Sequence, residues 1–119
     1  APACLEMIAR TGVDGGAVAR GAIGNPGIFD QIRQLLAGRP LPPPPSLAQQ
    51  RQVIGEHYRL AEEVYGPERS CQRMRKFGIK YARLHPRTDE VRDAFVRVRT
   101  PEDWKAVLDR YYTAESDRR

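Results

Sequence analysis

The sequence predicts a mainly α chain: a four-helix C-terminal bundle over residues 46–119, preceded by a strand-and-helix piece of an α/β architecture at residues 1–37. Three observations lead there. Apolar residues recur at steps of three, four or seven through most of the second half. Residues 38–45 hold five prolines, which favour extended polyproline II and cannot continue a helix. Upstream, a short apolar run sits between glycines and is followed by a glycine loop and another helical pattern.

In order along the chain, Leu5, Ile8 and Ala9 lie at helical spacing and end at Thr11-Gly12, with Gly12 as the expected C-cap. Gly12-Val13-Asp14-Gly15-Gly16 reads as a turn into Ala17-Val18-Ala19, a run too short for a helix and therefore expected to be a buried strand. After the loop Arg20-Gly21-Ala22-Ile23-Gly24, Asn25-Pro26 offers an N-cap and a first-turn proline to a helix carrying Ile28, Phe29, Ile32, Leu35 and Leu36. Helix, strand, loop and helix are one step of a repeating α/β fold, and a single strand cannot be buried by itself. The chain opens inside a helical pattern without an initiator methionine, which is the expectation for a fragment.

Beyond the proline linker, Ser46 and Gln49 form a capping-box pattern for a helix with Leu47, Ile54, Tyr58, Ala61 and Tyr65 inward, ended by Gly66-Pro67. The next places Cys71, Met74, Phe77 or Gly78, and Tyr81 inward and stops at His85-Pro86. Thr88 is the expected cap of a third, with Val91, Ala94, Phe95 and Val98 facing in. Thr100-Pro101-Glu102-Asp103 opens the last, with Trp104, Val107, Leu108 and Tyr111 inward and acidic residues at the positive end of the dipole. Residues 46–113 are expected to be the stable core, and 116–119 a frayed tail.

Composition bounds the function. With 40% hydrophobic and 8% aromatic residues, the 119-residue chain has enough apolar content for a packed core. No apolar run approaches the ~20 residues of a membrane helix, and no secretory signal opens the chain, so a soluble, cytoplasmic protein is expected. Cys4 and Cys71 are far apart and His57 and His85 isolated, so neither a disulfide framework nor a metal site is expected. Net charge is +5, and between Arg69 and Arg87 seven basic residues occur with no acidic one. Arg69, Arg73, Lys76, Lys80, Arg83 and Arg87 recur at steps of 4, 3, 4, 3 and 4, which puts the first five on one helix face. Arg75 falls off that stripe. Such a row, roughly 20 Å long at about 1.5 Å per residue, can follow a nucleic-acid backbone. It can equally be a solvated face, although such faces usually alternate in sign.

The loop at Ala19-Arg20-Gly21 has two readings as well. Glycines admit a phosphate close to free N–H groups, and Arg20 is a forked anion donor. Tight α/β turns also need glycine for conformational reasons alone.

The stretch from Thr11 to Phe29, TGVDGGAVARGAIGNPGIF, resembles the last strand and phosphate loop of the tRNA-dihydrouridine synthases, bacterial B-type and nitrogen-regulation-like, whose pattern is T-G-x-D-G-x-M-I-G-R-G-A-x-G-N-P-W-I-F. Tyr65-Gly66, Met74-Arg75-Lys76 and Tyr81 are similar to that family's helical domain. The resemblance implies that residues 1–37 are the end of a (β/α)8 TIM barrel that holds flavin mononucleotide (FMN), with NADPH as reductant. It further implies that residues 46–119 form a tRNA-binding domain, so that the chain is the C-terminal part of an enzyme reducing uridine to 5,6-dihydrouridine in tRNA. Ala19 and Arg20 match the family's phosphate-holding Gly-Arg, with Gly21 next to them. Arg69, Arg73, Arg75, Lys76, Lys80, Arg83 and Arg87 are the candidate tRNA contacts, made through shape and phosphate. Among the departures from the pattern, Ala19 replaces Gly, Gly27 replaces Trp, Phe77 replaces His and Lys80 replaces an aromatic residue.

The family's catalytic acid is a cysteine in an N-x-G-C-P motif, which this chain lacks. No catalytic residue is assigned, and the piece alone is expected to be inactive. Two other readings stand beside this one: a free-standing nucleic-acid-binding helical module, and another FMN barrel oxidoreductase acting on a small molecule. An unpaired strand and apolar helix faces at residues 1–37 would also invite self-association.

Overall fold

A computed structural model describes residues 1–113. They form six α-helices, with no strand among the described residues, and divide into two compact units, Ala1–Pro44 and the chain from Pro45 onward. The tail expected at 116–119 lies outside the described residues.

In the first unit, α1 (Pro2–Thr11) ends where Gly12 takes φ 71°, the left-handed conformation of a helix C-cap, and its N–H bonds the Ile8 carbonyl. A single 3-10 turn spans Arg20–Ala22, and α2 (Ile28–Leu36) follows. Two expectations fail here. The strand at Ala17-Val18-Ala19 does not form, because the described residues offer no second strand to take up its N–H and C=O groups. Asn25 does not cap α2 through its side chain: Gly27 is the cap residue, and the Asn25 carbonyl instead accepts the Ile28 N–H at 3.2 Å. Several apolar side chains of this unit are half-buried, such as Leu5, Ile8 and Ile32, while Phe29 and Leu36 are 44% and 59% exposed.

The second unit is a four-helix bundle of α3 (Leu47–Tyr65), α4 (Pro67–Tyr81), α5 (Thr88–Val96) and α6 (Pro101–Tyr111). Ser46 and Gln49 close the expected capping box on α3, and Thr100 with Asp103 closes another on α6. Gly66, at φ 82°, makes the reversal from α3 to α4. α4 ends at Tyr81, four residues before the expected stop, and a 3-10 turn, Ala82–Leu84, completes the segment. Thr88 is the first residue of α5 and not its cap; its hydroxyl donates to the His85 carbonyl at 2.7 Å.

The core follows the helical periodicity closely. Leu47, Ile54, Tyr58 and Ala61 of α3 are buried, as are Cys71, Met74, Gly78 and Tyr81 of α4, Val91 and Phe95 of α5, and Trp104, Val107, Leu108 and Tyr111 of α6. Tyr65 breaks the pattern and is 46% exposed. Trp104 lies between Tyr58 and Phe95, at ring separations of 5.1 and 4.9 Å. Two polar anchors tie the helices together. Buried His85 donates from Nε2 to the Tyr111 carbonyl at 2.7 Å, because its Nδ1 already accepts the Arg87 N–H at 2.9 Å. Arg51 of α3 reaches the C-terminal end of α6, donating to the carbonyls of Leu108 (3.1 Å) and Tyr112 (3.4 Å) and pairing with Asp109. A guanidinium there meets carbonyls that a helix end leaves unsatisfied.

Candidate nucleic-acid interface

The sequence of α4 separates its two faces sharply. At 100° per residue, Arg69, Arg73, Lys76 and Lys80 fall within an arc of about 60°, opposite the buried side carrying Cys71, Met74 and Gly78. All four cations are exposed, and none pairs with a carboxylate among the described residues. Two of the three acids of neighbouring α3 are committed to their own helix: Glu56 and Glu63 both pair with Arg59. The Arg59 hydrogen bond holds the Glu56 carboxyl below its ordinary value. The α4 cations therefore keep their full charge for a partner. A helix surface bearing four like charges over about 17 Å, with no internal counter-ion, is suited to a polyanion.

The other three predicted cations have different fates. Arg75 is half-buried on the flank of α4. Arg83 lies past the end of α4, in the 3-10 turn, where its Nε donates to the Lys80 carbonyl at 3.4 Å; the single helix face expected to include it stops at Lys80. Arg87 is drawn inward. It pairs with Glu90 at 3.3 Å and stacks on the Tyr111 ring at 5.1 Å, so it does not extend the row as an unpaired charge.

Aromatic rings flank the stripe. The Arg73 guanidinium carbon stands 5.1 Å from the centroid of Tyr65, and Lys76 Nζ stands 5.1 Å from that of Phe77. Phe77 is half-buried against His57, whose ring lies 4.8 Å away. The Tyr81 hydroxyl meets His57 Nδ1 at 2.9 Å, and burial pushes the His57 pKa below its ordinary value. The exposure of Tyr65 was not legible from its seven-residue step from Tyr58. It is the last residue of α3, and the reversal at Gly66 leaves its ring uncovered.

In the first unit, Ala19, Arg20 and Gly21 are all exposed around the 3-10 turn. The turn uses the N–H groups of Ala22 and Ile23, bonded to the carbonyls of Ala19 (3.4 Å) and Arg20 (3.1 Å). Among the described residues, the N–H groups of Arg20 and Gly21 stay open and no carboxylate pairs with the Arg20 guanidinium. A Cβ on Gly21 would meet only Val18 Cγ1, at 3.8 Å, so space remains beside those donors. Two backbone donors and a forked cation around open space fit a phosphate group.

Cys71 offers no reactive thiol. Cys71 is 4% exposed and burial raises its pKa, which suppresses the thiolate. Among the described residues, no three His, Cys, Asp or Glu side chains gather into a group that could hold a metal ion, and no helix is long and apolar enough to cross a membrane.

A family model described as dihydrouridine synthase (Dus) matches residues 2–116. A probable tRNA-dihydrouridine synthase of Mycobacterium leprae is 31% identical over 106 residues, covering 89% of this chain and 28% of its own length. The tRNA-dihydrouridine synthase B of Xanthomonas campestris is 34% identical over 109 residues, covering 92% of this chain and 33% of the relative. The tRNA-dihydrouridine synthase B of Escherichia coli K12 is 29% identical over 102 residues, or 86% and 32% of the two chains. This chain thus spans about a third of the length of such relatives. No solved structure matches it.

Proposed function

The chain belongs to the dihydrouridine synthase family, and on that premise we propose that it is the C-terminal part of a flavin-dependent tRNA-dihydrouridine synthase. In this reading the bundle docks tRNA, and the loop at Ala19-Arg20-Gly21 supplies part of the FMN phosphate site. The observation that carries it is the row of Arg69, Arg73, Lys76 and Lys80, exposed together on α4 without carboxylate partners among the described residues. Arg75 and Arg83 border the row, and Arg87, paired with Glu90 and stacked on Tyr111, stands apart from it. Contacts of this type are made to phosphate and sugar, so they position an RNA without reading its bases.

The first unit has a separate role. Arg20 would hold the FMN phosphate in charge-assisted bonds, while the open N–H groups of Arg20 and Gly21 would bond its remaining oxygens. The exposed Ala19 methyl lines that space where the family has glycine. When bound, FMN reduced by NADPH would supply the hydride for C6 of uracil. The proton for C5 is not assigned to either cysteine of this chain, since neither lies in the family's N-x-G-C-P motif and the Cys71 thiol is buried in the bundle core.

A titration with unmodified tRNA at two salt concentrations tests the docking role. The chain should bind with a steep salt dependence, and a variant carrying Arg73→Glu, Lys76→Glu and Lys80→Glu should lose that binding. Equal binding by both proteins, or none by either, would reduce the α4 row to a solvated face.

A further inference from the structure

We propose that Tyr65 and Arg73 form a stacking platform for one unpaired nucleobase of the bound RNA, an inference that rests on the docking role of α4. Tyr65 is the one exposed aromatic residue among the described residues of the bundle; the others are buried, apart from half-buried Phe77. Helical periodicity assigns Tyr65 to the core side, one turn beyond buried Ala61 and two beyond buried Tyr58, yet its ring emerges where Gly66 turns the chain. With 46% of its surface in water, the Tyr65 side chain is open to a partner from solution.

The ring is also held in place. Arg73 sits over it at 5.1 Å, and no carboxylate among the described residues draws the guanidinium away. Each group restricts the other, so a second flat surface could add to the stack at little further ordering cost. The charge around the pair selects the kind of partner. Arg73 belongs to the same row as Arg69, Lys76 and Lys80, and that row favours a polyanion carrying planar groups over an acidic peptide or a neutral aromatic ligand. Bases inside a duplex are already stacked on their neighbours, so an exposed ring at a phosphate-binding surface takes an unstacked one. The platform would therefore add a preference for unpaired nucleotides to a surface whose cations alone cannot distinguish paired from unpaired RNA.

The test uses the 119-residue chain with two probes: a single-stranded oligoribonucleotide containing 2-aminopurine, and a fully paired RNA duplex of the same length. Binding of the parent and of Tyr65→Phe should quench the 2-aminopurine fluorescence. Tyr65→Leu should abolish the quench and weaken single-strand binding by about 5- to 100-fold, with duplex affinity and salt slope unchanged. An unchanged thermal midpoint for Tyr65→Leu, together with the ring-retaining Tyr65→Phe, separates lost stacking from a damaged fold. Single-strand binding by Tyr65→Leu equal to the parent's, or an equal loss on both probes, would overturn the platform. The variant Lys76→Gln, Lys80→Gln tests the underlying premise separately. Its log-log salt slope on the single strand should fall by about 1.4, and an unchanged slope would remove the docking role itself.

Discussion

Phe95 of α5 packs so closely on Gly78 of α4 that a Cβ added to Gly78 would stand 2.5 Å from its Cδ1 and 2.9 Å from its Cγ and Cε1. Both residues are buried, and Phe95 also borders Trp104 at 4.9 Å, so the ring has nowhere to retreat. Gly78→Ala should therefore destabilise the bundle, although alanine is the better helix former by about 1 kcal/mol. Overpacking of this type costs about 1–3 kcal/mol, and the clash should dominate. Urea unfolding of Gly78→Ala would measure it, and pairing it with Phe95→Leu should recover part of the loss.

Arg51 joins α3 to the end of α6 across 57 residues of sequence, through the Leu108 carbonyl. Its guanidinium is partly exposed, so solvent screens the Asp109 pair and the carbonyl contacts matter more. Arg51→Met should lower stability by about 1 kcal/mol. The Arg51 hydrogen bond is the chief cause of the depressed Asp109 pKa, with Lys105 adding to it. In Arg51→Met that carboxyl should titrate closer to its ordinary value, which NMR titration would report.

His57 should make the bundle sensitive to mild acid. Burial lowers its folded-state pKa from 6.5, so the unfolded chain takes up a proton at a higher pH than the folded one. Stability is then full above about pH 6.5 and declines as pH falls toward the folded-state value. His57→Gln should flatten the change in thermal midpoint between about pH 7.5 and 5.5. A profile as steep as the parent's would assign the sensitivity to other groups.

Thr100 and Asp103 start α6 as a reciprocal pair: the Asp103 N–H donates to Thr100 Oγ1, and the Thr100 N–H donates to Asp103 Oδ2, each at 3.1 Å. Thr100→Ala should cost about 1 kcal/mol. The Arg99 and Thr100 N–H groups hold the Asp103 carboxyl below its ordinary range. Its stabilising contribution is thus present above about pH 4 and fades as pH falls through the lowered value. Asp103→Asn should show a shallower acid limb in unfolding followed by circular dichroism.

The sequence by itself determined the elements whose causes are local. The capping residue Ser46, the start of the last helix at Thr100-Pro101, the left-handed stop at Gly12 and the four-helix periodicity with its Leu47, Ile54, Phe95 and Trp104 core were legible, because each depends on residues one to four positions apart. The row Arg69, Arg73, Lys76 and Lys80 was legible for the same reason. Tertiary structure decided what depends on distant partners. Ala17-Val18-Ala19 forms no strand because a strand needs a neighbour to pair with, and no local pattern can supply one. Arg87 leaves the row because Glu90 and Tyr111 bind it, and Tyr65 leaves the core because of the reversal at Gly66. Gly78 is required where it stands only because another helix brings Phe95 against it. Periodicity says which way a residue faces on its own helix; what it meets there is set by where the other helices come to rest.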